Sequence, residues 1–295
     1  MKILILAATI VGMSGPAFGQ VFSFTRDEMI RYTPENPFER FPDGRPKVPD
    51  ALLERVKLIS VEDAWGVLRS KGYVNQYVEG MKSLRPEQKL VGRAFTAQYM
   101  PARPDLSTVV DAGAKAKGMA AGQNQRVIDQ LQLNDVPVID LMGPMLGHNF
   151  GGSNLHAAIY GRTHAGAVVD GTVRDIGGLL EIPRHQVYFR EPHPAAVASV
   201  NILGINTPVT IGNAIVMPGD VVLGDRTGLI FIPPQLVQQV VETAERTRIH
   251  DDWTKEKFLT GKYKASELYP GPLSPELQKE YDAYVKKRVA EGASK

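Results

Sequence analysis

Ten residues, Gly166 to Asp175 (GAVVDGTVRD), constrain this chain more than any other stretch, together with the upstream entry Gly151-Gly152-Ser153-Asn154-Leu155. Ala165 to Val169 is a short β-branched apolar run and Asp170-Gly171 a turn pair, so the pattern predicts a buried strand ending there. Arg174 and Asp175 follow at once, a fixed cation beside a hard oxygen ligand. Ser153 reads as an N-cap, and Leu155, Ala157, Ala158 and Ile159 suit a helix over about 154–164. At ~1.5 Å per residue this helix is roughly 16 Å long, and the returning strand with its turn covers a similar distance at ~3.3 Å per residue. The strand's end and the helix's start are therefore expected as neighbours. That places Arg174 and Asp175 beside the free N–H groups of the helix, an anion site by construction. A cation, an anion-binding helix end and one carboxylate able to hold a divalent ion suit a small metal-chelating acid.

The flanking chain supports one α/β core with attachments. Residues 1–19 have the form of a cleaved secretory signal: Lys2, an apolar run from Ile3 to Val11, and Ala17-Phe18-Gly19 as the cleavage site. The apolar stretch is too short to span a bilayer comfortably, so export to a periplasm or beyond is expected, with no membrane anchor after cleavage. Residues 20–58 read as an extended arm, 59–252 as the core, and 253–295 as a helical tail. Strands are expected over 90–99, 135–141, 186–189, 202–209, 211–216, 221–223 and 228–232. Helices are expected after Leu52, after an N-cap at Ser60, from Leu106, at Ile176, from Leu236 and from Ser274.

Several chemistries are excluded. The chain has no cysteine, which removes thiol catalysis and disulfides. A formal net charge of +2, without basic runs, gives no reason to expect nucleic acid. GxSxG, Rossmann and P-loop patterns are absent, and the core-strand stretches carry no lysine for a Schiff base. A metal mechanism is preferred. Asp170, Asp220 and Asp225 read as turn-formers. His148 lies in the loop before the glycine entry; His156 and His164 read as structural or solvent-facing, and His185 and His193 as too scattered for zinc.

The motifs resemble the family of class II pyruvate aldolases that includes 4-hydroxy-4-methyl-2-oxoglutarate aldolase, together with the RraA-type regulator of ribonuclease E. The resemblance rests on DAW at 63–65, LVGRAFTAQ at 90–98, the GGSNL entry, VVDGTVRD at 168–175, PGDVVLGDRTGLIFIP at 218–233 and GKYKASELYP at 261–270. It implies an α/β fold of the swivelling β/β/α type, assembled as a homo-oligomer, trimer or hexamer, with sites between subunits. It implies that Arg174 holds a pyruvoyl group and that Asp175 binds Mg²⁺ or Mn²⁺. Gly152, Ser153, Asn154 and Leu155 would take the carboxylate of a small 2-oxo acid substrate through their backbone.

Two departures stand out. Ser153 occupies a position that is commonly acidic in the aldolases and tends to be serine in the regulator, while Asp175 keeps the metal-binding carboxylate that the regulator lacks. A further acid from a neighbour's C-terminal region is expected, Asp251 or Asp252 lying in that stretch. The expected activity is a divalent-metal-dependent lyase acting through a pyruvate enolate, with oxaloacetate decarboxylation as a side activity. The competing expectation is a non-catalytic regulatory or binding protein on the same scaffold.

Overall fold

The computed structural model describes residues 22–143 and 148–292. The predicted leader, 1–19, lies outside the described residues. The arm contains a helix where extended chain is predicted: Thr25 and Glu28 form a capping box that starts α1 (Arg26–Tyr32). This Thr-x-x-Glu signal precedes too few apolar residues to stand out in the sequence. Next come α2 (Asp50–Val56) and α3 (Val61–Ser70), the latter capped by Ser60 and Asp63 as expected. Asp225 adds to that cap by accepting from the Val61 N–H at 3.0 Å.

Then follow β1 (Tyr77–Val78), β2 (Lys82–Ser83), β3 (Leu90–Pro101), α4 (Pro104–Ala116), α5 (Gln123–Ile128) and β4 (Asp135–Asp140). The central unit is α6 (Ser153–Thr163), β5 (Ala167–Val173) and α7 (Ile176–Glu181). After it come β6 (Val187–Pro192), β7 (Val200–Ile205), β8 (Val209–Ile211), β9 (Ala214–Val216), β10 (Val221–Asp225) and β11 (Gly228–Ile232). The chain closes with α8 (Pro234–Leu259), α9 (Ala265–Leu268) and α10 (Pro275–Gly292).

Among the described residues the strands form a nine-stranded sheet of order β1-β11-β10-β3-β4-β5-β6-β2, with β7 also on β3. Strands β3, β4, β5 and β6 run parallel and are linked by helical crossovers; β10, β7 and β2 join antiparallel. The strands are buried on both faces, which explains their near-continuous apolar runs. Alternate residues point to opposite layers. Leu90, Ala94, Val136, Val138 and Val168 pack with the β8–β9 hairpin. Phe95, Ala97, Ile139, Val169 and Val173 pack with Val127, Ile159 and Leu179 of the helices. The result is a hairpin layer, a sheet and a helix layer.

The arm is tied to this core by charge. The Arg45 guanidinium, fully buried, donates to both Asp135 carboxylate oxygens at 2.7 and 3.0 Å and lies over the Phe41 and Phe95 rings. Arg93 reaches back to the Val48 carbonyl and the Asp50 carboxylate, both at 2.7 Å. Among the described residues no helix is long and apolar enough to cross a membrane.

Candidate active site

The predicted end of β5 is corrected by the structure, because the strand continues through Asp170-Gly171 to Val173. Asp170 is no turn-former. Its buried carboxylate accepts from Arg190 Nε at 2.5 Å and from the Gly212 N–H at 2.8 Å, so it bridges the sheet to the hairpin. Gly171 is needed for contact: a Cβ there would stand 2.8 Å from Leu141 Cβ. Beyond it, Thr172 donates its hydroxyl to the His148 carbonyl at 2.5 Å, and Asn149 bridges Thr172 in parallel. These bonds draw the glycine entry alongside the strand's last residues.

The two arms of the site then meet. Gly152, not Ser153, is the N-cap of α6, and Ser153 is its first helical residue. The reason is a stronger partner: the Ser153 hydroxyl and N–H both donate to Asp175 Oδ2, the N–H at 3.3 Å. Asp175 adopts φ +61°, a left-handed conformation that Asp tolerates better than most residues, at the N-cap position of α7, where its side chain makes no capping hydrogen bond. The helix ends approach through two glycines. A Cβ on Gly152 would stand 3.1 Å from Arg174 Nε, so the bare backbone lets the guanidinium stem lie against the start of α6. A Cβ on Gly178 would stand 2.8 Å from Ser153 Cβ and 2.9 Å from Asp175 Oδ2. Leu155 and His156 N–H groups turn back to the Gly152 carbonyl, both at 3.1 Å, which leaves the Asn154 N–H without a protein acceptor among the described residues.

Electrostatics favour an ionised acid here. The Ser153 hydroxyl, with help from its N–H, holds the Asp175 carboxyl below its ordinary value, and Arg174 adds to the effect. Both Arg174 and Asp175 are exposed, so the site opens on the surface of the single chain. Among the described residues no group of three His, Cys, Asp or Glu side chains converges for a metal. One ionised, exposed carboxylate backed by a hydroxyl still fits Mg²⁺ or Mn²⁺, which keep several waters and need few protein ligands. Asp251 and Asp252 belong to α8, which packs on α2, α3 and α10; Asp252 accepts from Arg288 at 3.0 Å.

Below the site is a feature absent from the sequence reading. His156, on the first turns of α6, is buried, and its Nδ1 lies 2.8 Å from His185 Nε2. His185 Nδ1 faces the Ala165 carbonyl at 3.2 Å, so it carries a proton and donates. The shared proton then belongs to His156 Nδ1, and His156 Nε2 is left as a buried acceptor without a partner. Burial lowers His156 to about 3 and His185 to about 4. His156 is thus structural, as expected, but it is paired with a residue 29 positions on that sequence spacing treats as unrelated.

Fold and site together define a mixed α/β scaffold presenting an arginine and a carboxylate at a helix N-terminus. A family model described as Aldolase/RraA matches residues 48–231, and the chain belongs to that RraA-like family. It is 25% identical over 185 residues to an uncharacterized protein of Methanocaldococcus jannaschii, covering 62% of this chain and 80% of that one. It is 32% identical over 107 residues to a putative 4-hydroxy-4-methyl-2-oxoglutarate aldolase of Halalkalibacterium halodurans, covering 36% of this chain and 49% of that one. Among solved structures it is similar to RraAS2 of Streptomyces coelicolor, described as an unusual member of the RNase ES inhibitor RraA protein family. The TM-score there is 0.62 at 24% identity, over 72% of this chain and 100% of that chain, a likeness of fold. The family therefore includes proteins named as aldolases and proteins named as inhibitors.

Proposed function

We propose that the chain is a divalent-metal-dependent lyase that cleaves a pyruvoyl-containing 2-oxo acid of the 4-hydroxy-4-methyl-2-oxoglutarate class. The observation that carries this reading is the meeting of Arg174 and Asp175 with the α6 N-terminus, with Asp175 ionised. The substrate carboxylate lies at the Asn154 N–H and the positive end of α6. Arg174 orients the pyruvoyl group and stabilises charge that develops on its 2-oxo oxygen as the C3–C4 bond breaks. Asp175 would hold Mg²⁺ or Mn²⁺, and the ion would supply Lewis-acid polarisation of that oxygen. The 4-hydroxyl gives its proton to water as C4 becomes the carbonyl carbon of one pyruvate, the C3–C4 electron pair passes into the enolate of the other, and a proton from water at C3 releases that second pyruvate. Oxaloacetate, which yields the same enolate on losing CO₂, is the expected side substrate. A neighbouring copy in a trimer or hexamer closes the open face, and the first nineteen residues support export.

Incubation of the mature protein with 4-hydroxy-4-methyl-2-oxoglutarate and Mg²⁺ or Mn²⁺ should release pyruvate. Arg174→Ala should lower kcat by about 10²–10³, the loss typical of one oxyanion donor, and Asp175→Ala should abolish the response to metal. Absence of pyruvate from this acid and from oxaloacetate would reject the reading for both. Ser153, placed where the aldolases commonly carry an acid, favours a second reading: a regulatory protein without catalysis. Calorimetric titration with Mn²⁺ plus oxalate separates the two, because only the lyase should bind the pair together.

A further inference from the structure

A cavity of about 420 Å³ lies away from Arg174 and Asp175, between the arm and the core. Its walls come from the end of α1, the segment before β1, the β9 strand, the turn before β10 and the start of α8. Tyr32 to Glu35 and Pro233 to Gln235 fall outside the span matched by the family model, so segments beyond that span build part of the cavity.

The polar lining is almost all acceptor. Two carboxyl-bearing residues line it, Asp220 from the core and Glu35 from the arm, and the lining contains no Lys, Arg or His. Asp220 is only 2% exposed, and one of its oxygens accepts from the Met217 N–H at 2.9 Å. The amides present their oxygens. Gln76 Nε2 donates to the Ile215 and Phe231 carbonyls, both at 3.2 Å, and Gln235 Nε2 to the Tyr73 hydroxyl at 3.0 Å. Their carbonyl ends accept no bond among the described residues. A helix start would normally offer several N–H groups to an anion, but α8 begins with Pro233 and Pro234, which have none, so Gln235 alone of its lining residues brings a backbone N–H. Two aromatic rings complete the wall, Tyr73 and Tyr32, the latter fixed by stacking on Phe24 at 4.9 Å.

Acceptors, carboxyl groups and ring faces, with few donors, are complementary to an organic cation. We propose that this cavity binds a small primary ammonium compound with an apolar body, its ammonium group on the Asp220 carboxylate and its body between the two tyrosines and the prolines. Burial raises Asp220 to about 7, whereas a bound cation requires it ionised. Binding should therefore release a proton and weaken as the pH falls. The other titratable groups lining the cavity are Glu35, exposed at the rim, and Tyr32 and Tyr73.

The test is calorimetric titration of the mature full chain with benzylammonium, with benzyl alcohol and benzoate as neutral and anionic isosteres. Benzylammonium should bind at pH 8, about tenfold more weakly at pH 6, and at least tenfold more tightly than either isostere. Asp220→Asn should weaken it at least tenfold. Because Asp220 also caps its own turn, Ile215→Trp provides a variant at an exposed wall residue, and it should block binding without loss of fold. No binding at pH 8, equal binding of benzyl alcohol, or unchanged affinity in Ile215→Trp would overturn the proposal. None of these outcomes bears on pyruvate release, which uses other residues.

Discussion

At the scale of single residues, the buried imidazole pair gives the sharpest expectation. His156 and His185 both titrate below the ordinary value of 6.5 because burial penalises their charged forms. The unfolded chain then binds more protons than the folded one between pH 6.5 and about 4, so stability is present above pH 6.5 and lost as the pH falls through that window. The loss between pH 7.5 and 5 should be on the order of 2 kcal/mol per imidazole. Urea denaturation should show it as a difference between the wild type and a His156→Leu, His185→Gln double variant. The difference matters because burial acts on Asp220 in the opposite sense: raised to about 7, its contribution is lost as pH rises. Equal pH slopes in the two proteins would show that the pair does not titrate as its burial dictates. Neither the pair nor the Asp170–Arg190 bridge was legible from the chain. An Asp-Gly step is ordinarily a turn, and only the fold brings Arg190 to it, twenty residues later. The meeting of Arg174 and Asp175 with the start of α6 was legible, since a helix length and a strand length suffice to bring their ends together.

At the scale of elements, the α6–β5 connection works only because its glycines permit contact. Gly166 lies where a Cβ would stand 1.7 Å from the Gln186 carbonyl oxygen, at the point where β5 begins to pair with β6. Gly166→Ala should destabilise the chain by about 3 kcal/mol or more, at the upper end of overpacking costs, measurable as a lower urea midpoint with reduced metal response. An unchanged midpoint would mean that β6 can shift to accommodate the methyl. The elements themselves were mostly predictable. Ser60 and Asp63 announce α3, and the apolar runs announce β3, β4 and β10. The helix α1 and the two-residue strands β1 and β2 were missed, since such short pieces have no period to display; α1 rests on its capping box, and the two strands exist by pairing with β11 and β6.

At the scale of the whole molecule, the arm is part of the structure rather than a passive leader to it. Arg45 and Asp135 are both fully buried, and removing one leaves the other an uncompensated charge. Arg45→Ala should cost about 3–5 kcal/mol, while replacing both by apolar residues of similar volume should recover most of that. Guanidinium unfolding of the single and paired variants would decide it; equal losses in both would contradict the account. A last consequence belongs to β3, whose neighbours come from far along the chain: β4 some forty residues on, β7 about a hundred, and β10 about a hundred and thirty. About three-quarters of the polypeptide, through Asp225 of 295 residues, must emerge before the central strand acquires its full set of partners. Maturation should therefore be slow and late, and dependent on chaperones for as long as that apolar ribbon remains bare.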